Sequence, residues 1–314
     1  MPPKILVISG PTASGKTALA VELALRHSGE VVSADSMQIY RRMDIGTAKP
    51  TPEEMRGVPH HMLDVADPEE DFSVARYVEL AARCVDDVLA RGKLPIVAGG
   101  TGLYIDSLLS GRTFARFDPD SPLRRELEEE LARRGGAALL EELARVDPDT
   151  AARLHPNDGK RIVRALEVYR STGTTLTEHN AMTRSLPPRY DALTLTLAFQ
   201  RREDMWARID RRVDQMMAGG LVDEVRALLD SGVPDRCTAM QAIGYKEMAA
   251  ALRGDGDTAR AAEEIKLRSR QYAKRQLTWF RRNGDARWIR WETRPNFAAA
   301  LQTSTEYMEE FGIV

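Results

Sequence analysis

The chain has 314 residues, 43% hydrophobic and 29% charged, enough for a sizeable core and for two domains or one domain with a large insertion. Its net charge of −2 excludes a global positive field, so any nucleic-acid binding must come from local basic clusters. Cys84 and Cys237 stand in no metal-ligand spacing, excluding a disulfide scaffold or zinc site, and no run of about eighteen apolar residues offers a membrane span.

Lys4 to Ser9 is a short β-branched run sized for a buried parallel strand. After a Gly-rich turn, Thr17 to Arg26 carries apolar residues at helical spacing and stops at Ser28-Gly29. Glu30 to Ser33 reads as a second strand, with Asp35 just past its carboxyl end. Phe72 to Ala90 is an amphipathic helix opened by Ser73 and closed by Arg91-Gly92. Leu94 to Ala98 is another buried strand, ending in Gly99-Gly100-Thr101-Gly102. This alternation predicts an α/β fold with a doubly wound parallel sheet. From about Phe114 the texture changes. A loop, DPDSP at 118–122, leads to a helix over Leu123 to Arg134, a Gly-Gly break, and helices over Ala137 to Arg145 and Lys160 to Ser171. SLPPR at 185–189 closes that stretch, and Ala192 to Phe199 alternates like a returning core strand. The expected organisation is a core from 1–113 and 191–314 around a helical insertion at 114–190, with a late strand at Arg287 to Trp291. The short apolar start, Ile5 to Ile8, is no secretion signal, so a cytoplasmic monomer with no membrane partner is expected.

Gly10, Pro11, Thr12, Ala13, Ser14, Gly15, Lys16 and Thr17 spell GPTASGKT, which fits the P-loop pattern at every position. The backbone N–H groups of such a turn feed a helix N-terminus carrying about +0.5 of effective charge, which makes an anion site. Lys16 adds a full charge aimed at the outer phosphate, and the Thr17 hydroxyl is placed to ligate Mg²⁺. The pattern identifies a grip and not a reaction, since ATP or a bare diphosphate would both fit. A nucleotide-hydrolysing enzyme would end an apolar strand in Asp to hold the metal, whereas the LPIVA strand ends in Gly-Gly-Thr. The carboxylate at a strand end near the loop is Asp35, which could steer Mg²⁺, act as a general base, or hold a turn.

With GPTASGKT go SADSMQIYRRMDIGTAKP at 33–50, VPHHMLD at 58–64, AGGTGLY at 98–104, HPNDGKRIVRALEVY at 155–169, QAIGYKE at 241–247 and QYAKRQLTWFR at 271–281. In this order, over nearly the whole chain, they resemble the tRNA dimethylallyltransferases (tRNA isopentenyltransferases). The resemblance implies a P-loop NTPase-like core, an inserted helical domain contacting tRNA, and Mg²⁺. It implies transfer of a dimethylallyl group from dimethylallyl diphosphate to the N6 amine of the adenosine just 3′ of the anticodon. The loop would hold the leaving diphosphate, with Lys16 aimed at its growing charge. Asp35 would take the proton of an amine whose lone pair is delocalised into the ring. Arg212 would help bind the diphosphate. Thr101 would lie near the target nucleotide, although capping the helix from Gly102 explains it equally well on local chemistry. Contacts to the tRNA anticodon stem-loop are implied for Asp35, Ser36, Met37 and Gln38, for Thr101 and Arg124, and for Lys160, Arg161, Ile162, Val163 and Arg164. They are implied too for Gln241, Ala242, Ile243, Gly244, Tyr245 and Lys246.

Arg208 and Arg212 lie four apart on one helical face, where like charges repel unless something anionic sits between them. For Arg208, Asp210 or Asp214 would serve as well as a diphosphate. Trp206, Ile209, Val213 and Met217 on that helix read as core. Ile265 to Arg282 carries Lys266, Arg268, Arg270, Lys274, Arg275, Arg281 and Arg282 with no acid, a phosphate-tracking surface or else a solvated face. Trp279, Trp288 and Trp291 read as core, and His60 and His61 as structural with no partner in view. The rival readings are a small-molecule P-loop kinase, a prenyltransferase of free adenine nucleotides, and a non-catalytic RNA-binding protein. The intact Gly15-Lys16-Thr17 with Asp35 argues against the last.

Overall fold

Ile5, Leu6, Val7 and Ile8 are shielded on both faces of the strand they form, β1 (Lys4–Ser9). The computed structural model describes residues 2–111, 121–184 and 186–314, and within them β1 lies inside a six-stranded sheet. The chain continues through α1 (Lys16–Arg26), β2 (Gly29–Ser33), α2 (Pro52–Met55), β3 (His60–His61), α3 (Val74–Ala90), β4 (Leu94–Gly99) and α4 (Gly102–Leu109). Then come α5 (Pro122–Val146), α6 (Pro148–Ala151), α7 (Gly159–Thr172) and α8 (Leu176–Arg184). It ends with β5 (Asp191–Phe199), α9 (Arg202–Ala218), α10 (Leu221–Asp230), α11 (Tyr245–Arg253), α12 (Thr258–Phe280), β6 (Arg287–Trp291) and α13 (Phe297–Phe311).

The strand order is β3-β2-β4-β1-β5-β6, parallel throughout, so every carboxyl end opens on one edge. Alternate side chains of β1 feed two cores. Ile5 and Val7 pack with Tyr77 and Val85 of α3 on one face, and Leu6 and Ile8 pack with Leu19 and Leu23 of α1 on the other. Each such side chain contributes roughly 1.5–3 kcal/mol on burial, which accounts for an uninterrupted apolar strand where a half-exposed one would alternate. Among the described residues no helix is long and apolar enough to cross a membrane.

Contacts divide the chain into Met1–Leu109 with Arg189–Val314, and Ser110–Pro188. The second unit is helical, with its own core of Leu127, Leu139, Leu143, Ile162 and Leu166. Its long α5 is interrupted at Gly135 (φ 78°, ψ 160°), at the break expected from the Gly pair. The expected boundary at 113/114 and the start of the loop at 118–122 lie outside the described residues.

β3 was not foreseen, and the reading of its histidines needs correcting. His61 Nε2 lies 2.7 Å from Glu30 Oε2 on the neighbouring β2. Glu30 also takes Arg91 at 2.5 and 2.7 Å and Lys93 at 2.7 Å, and these partners hold its carboxyl far below the usual range. The pair is structural, but it does have a partner.

Candidate active site

Ser9 of β1 stands in register with Gly99 of β4 and Thr196 of β5, so β1 and β4 end together while β5 runs on to Phe199. The P-loop leaves from this edge. Gly15 takes a left-handed φ of 89° as the N-cap of α1, and Ala13 another at 62°, unusual for a residue with a Cβ. The first turn of α1 has no acid of its own to offset its positive end. Ser14 Oγ is buried with no hydrogen-bond partner among the described residues. An orphaned hydroxyl inside an amide-lined turn fits an oxyanion ligand.

Three cations converge on the loop. The Lys16 Nζ donates to the Pro11 carbonyl at 2.8 Å, and burial, then the nearby Arg212 charge, push its pKa down to about 7. Arg208 of α9 donates its Nε to the Ala13 carbonyl at 3.1 Å. Neither Asp210 nor Asp214 is its partner, because Arg270 takes the first at 2.8 Å and Lys266 the second at 2.7 Å. Arg212, one turn on, is held down by burial, against which the charges of Asp35 and Glu54 act. Desolvated cations with little counter-charge amount to a demand for an anion.

Asp35 supplies negative charge to two of these cations. It follows β2, accepts the Met37 N–H on Oδ1 at 2.9 Å, and its charge supports protonation of both Lys16 and Arg212. The carboxylate therefore sits on the cradle side of the sheet. Thr101 does not cap α4 with its hydroxyl: Oγ1 accepts the Ser36 N–H at 3.0 Å, and the Thr101 carbonyl accepts the Tyr104 and Ile105 N–H groups. The turn after β4 is thereby stitched to the segment bearing Asp35. Gly99 permits this, since a Cβ there would stand 2.2 Å from the Ala34 carbonyl oxygen.

Gln276 is a site residue that sequence reasoning missed. It is buried on α12, its Oε1 accepts the Thr12 N–H of the P-loop at 3.0 Å, and its Nε2 donates to the Gly100 carbonyl at 2.8 Å. Both ends of the amide are used, so one side chain couples the cradle to the Gly-Gly-Thr turn. Tyr272, one turn earlier, lies beside Thr101 and Gln276; burial first, then the Asp35 charge, push its phenol up to about 12. Among the described residues no group of three or more His, Cys, Asp or Glu could hold a metal. Mg²⁺ needs no such cage, because one or two protein oxygens with phosphate and water suffice.

The IPP transferase family model matches residues 38–283. The tRNA dimethylallyltransferase of Acetivibrio thermocellus is 45% identical over 309 residues, covering 98% of each chain. The chain belongs to this family. The crystal structure of the tRNA isopentenylpyrophosphate transferase from Bacillus halodurans, 41% identical, superposes with a TM-score of 0.72 over 98% of each chain. A eukaryotic dimethylallyltransferase acting on tRNA, 30% identical, gives 0.83 over 98% of this chain and 80% of its own. The sheet with its P-loop is accordingly the P-loop NTPase-like core of the tRNA dimethylallyltransferases.

The positions that the family resemblance assigned to tRNA are not all outward. In the helical unit Lys160 and Arg161 are exposed, whereas Ile162 and Val163 fill its core. The correction follows from helical geometry, because five consecutive residues cannot share one face. Arg124 is mostly buried between Glu128 at 3.1 Å and Glu167 at 3.3 Å, and Arg164 shares Glu167 at 2.7 Å. In 241–246, Gln241 and Lys246 face outward while Ala242, Gly244 and Tyr245 are buried. The basic island on α12 is thinner than its sequence suggests. Lys266, Arg268 and Arg270 pair with Asp214, Glu264 and Asp210, leaving Lys274 and Arg275 exposed on the helix. Trp291 is core and donates Nε1 to the Ser14 carbonyl at 2.8 Å, tying β6 to the loop.

Proposed function

We propose that the chain transfers a dimethylallyl group from dimethylallyl diphosphate to the N6 amine of the tRNA adenosine 3′-adjacent to the anticodon. The observation that carries this is Asp35, the carboxylate whose charge acts on both Lys16 and Arg212 in a cradle that Arg208 completes. The diphosphate lies in the loop, its charge met by the amides, Lys16 and Arg212. As the allylic C–O bond breaks, its electron pair passes to the diphosphate, where these fixed charges are aimed. The N6 lone pair forms the new C–N bond, and the amine proton goes to Asp35. The Thr17 hydroxyl would hold Mg²⁺, and the ion would supply further neutralisation of the leaving group when bound. Thr101 fixes the segment that carries the base through Ser36. A phosphoryl-transfer reading finds no strand-end Asp on β4, which closes in Gly99.

Incubation with bulk tRNA and labelled dimethylallyl diphosphate, beside an ATP control, tests the proposal. Label entering tRNA with release of one diphosphate per transfer is expected. ATP consumption without labelled tRNA refutes it.

A further inference from the structure

Glu224 of α10 is tied to the acceptor side of the site through four donors. Its Oε2 accepts the backbone N–H groups of Asp44 and Ile45 at 2.8 Å each, and its Oε1 accepts that of Gly46 at 3.0 Å. The Tyr245 hydroxyl donates to the same Oε1 at 2.6 Å. Gly46 lies so close to Tyr245 that a Cβ would stand 2.4 Å from the ring. The loop held in this way offers the Thr47 and Ala48 carbonyls to Gln38 Nε2 at 3.4 and 3.1 Å, while Gln38 Oε1 accepts the Ser33 hydroxyl at 3.0 Å. Gln38 ends the segment that begins at Asp35, and Tyr245 opens α11 within the stretch 241–246.

An ionised carboxylate is acceptor-only, with about four lone-pair positions, and here it meets four donors. A glutamine would turn an NH₂ towards N–H groups and leave donors unpaired. We propose that Glu224 is a positioning residue for prenyl transfer. It fixes the segment Asp35–Gln38 against the stretch 241–246, and through them the acceptor nucleotide, with no part in holding the donor. This rests on the function proposed above.

The test measures steady-state transfer for E224Q and Y245F, varying tRNA and dimethylallyl diphosphate independently, with thermal unfolding alongside. E224Q is expected to raise the KM for tRNA roughly tenfold, with the donor KM within about twofold of wild type. Y245F, which removes one of the four donors, is expected to move the tRNA KM in the same direction by about two- to fivefold. An unchanged tRNA KM, or equal changes in both KM values, overturns the proposal. If E224Q does not fold, Y245F decides by the same criteria. Wild-type protein with no transfer to tRNA would overturn the functional reading and this proposal together, whereas active wild type with unaltered variants overturns this proposal alone.

Discussion

Lys16 is where the electrostatics of the site can be read most directly. With its pKa down near 7, it is largely neutral in the free protein above that pH. An anion in the loop restores the proton, so binding of diphosphate takes up protons above pH 7 and weakens as pH rises. Calorimetry in buffers of different ionisation enthalpy is expected to detect this uptake, and Lys16→Ala is expected to abolish it. The same shift acts on folding. The unfolded lysine keeps its proton to its ordinary 10.5, so between pH 7 and 10.5 the unfolded state holds more protons and this group's contribution to stability rises with pH. A bound anion removes that dependence by lifting the folded value.

At the scale of elements, α12 carries a coupling that its basic residues conceal. Gln276 holds the P-loop and the turn after β4 at once, so Gln276→Leu leaves the Thr12 N–H and the Gly100 carbonyl without that partner. A loss of about 1–3 kcal/mol is expected, read as a lower denaturation midpoint in urea, with a drop in transfer rate that addition of more donor does not restore. A midpoint and rate equal to wild type would remove the coupling. Nothing in the local sequence announces Gln276, because its partners lie 264 and 176 positions away. The one available signal was a polar side chain on the apolar side of a helix, among Ala273 and Phe280. β1, β4 and β5 were legible because buried parallel strands leave unbroken apolar runs or clear alternation. The two-residue β3 was not, since two histidines have no period. The glycines at the end of β4 were visible as residues but not as a reason, which is the approach of Ala34 to Gly99. The P-loop and Asp35 were legible because their chemistry is local, whereas Glu224 and Gln276 act through distant backbone.

On the scale of the whole molecule, a net charge of −2 confines any attraction for tRNA to local surfaces. Lys160 and Arg161 on the helical unit are exposed, Arg161 reaching Asp158 at 3.5 Å, while many other cations are spent on carboxylates. Measured tRNA affinity is therefore expected to fall with salt, and Lys160→Ala with Arg161→Ala to flatten the log–log slope by about one to two. An unchanged slope would exclude that face from the RNA contact. The central claim joins two chemistries, a cradle that takes the departing diphosphate and a neighbouring carboxylate that takes the amine proton. Single-turnover transfer by wild type and Asp35→Asn, with both substrates saturating and tRNA binding measured in parallel, tests it most directly. The account predicts that the asparagine variant transfers about two to four decades more slowly while binding tRNA within about twofold of wild type; equal transfer rates would contradict it.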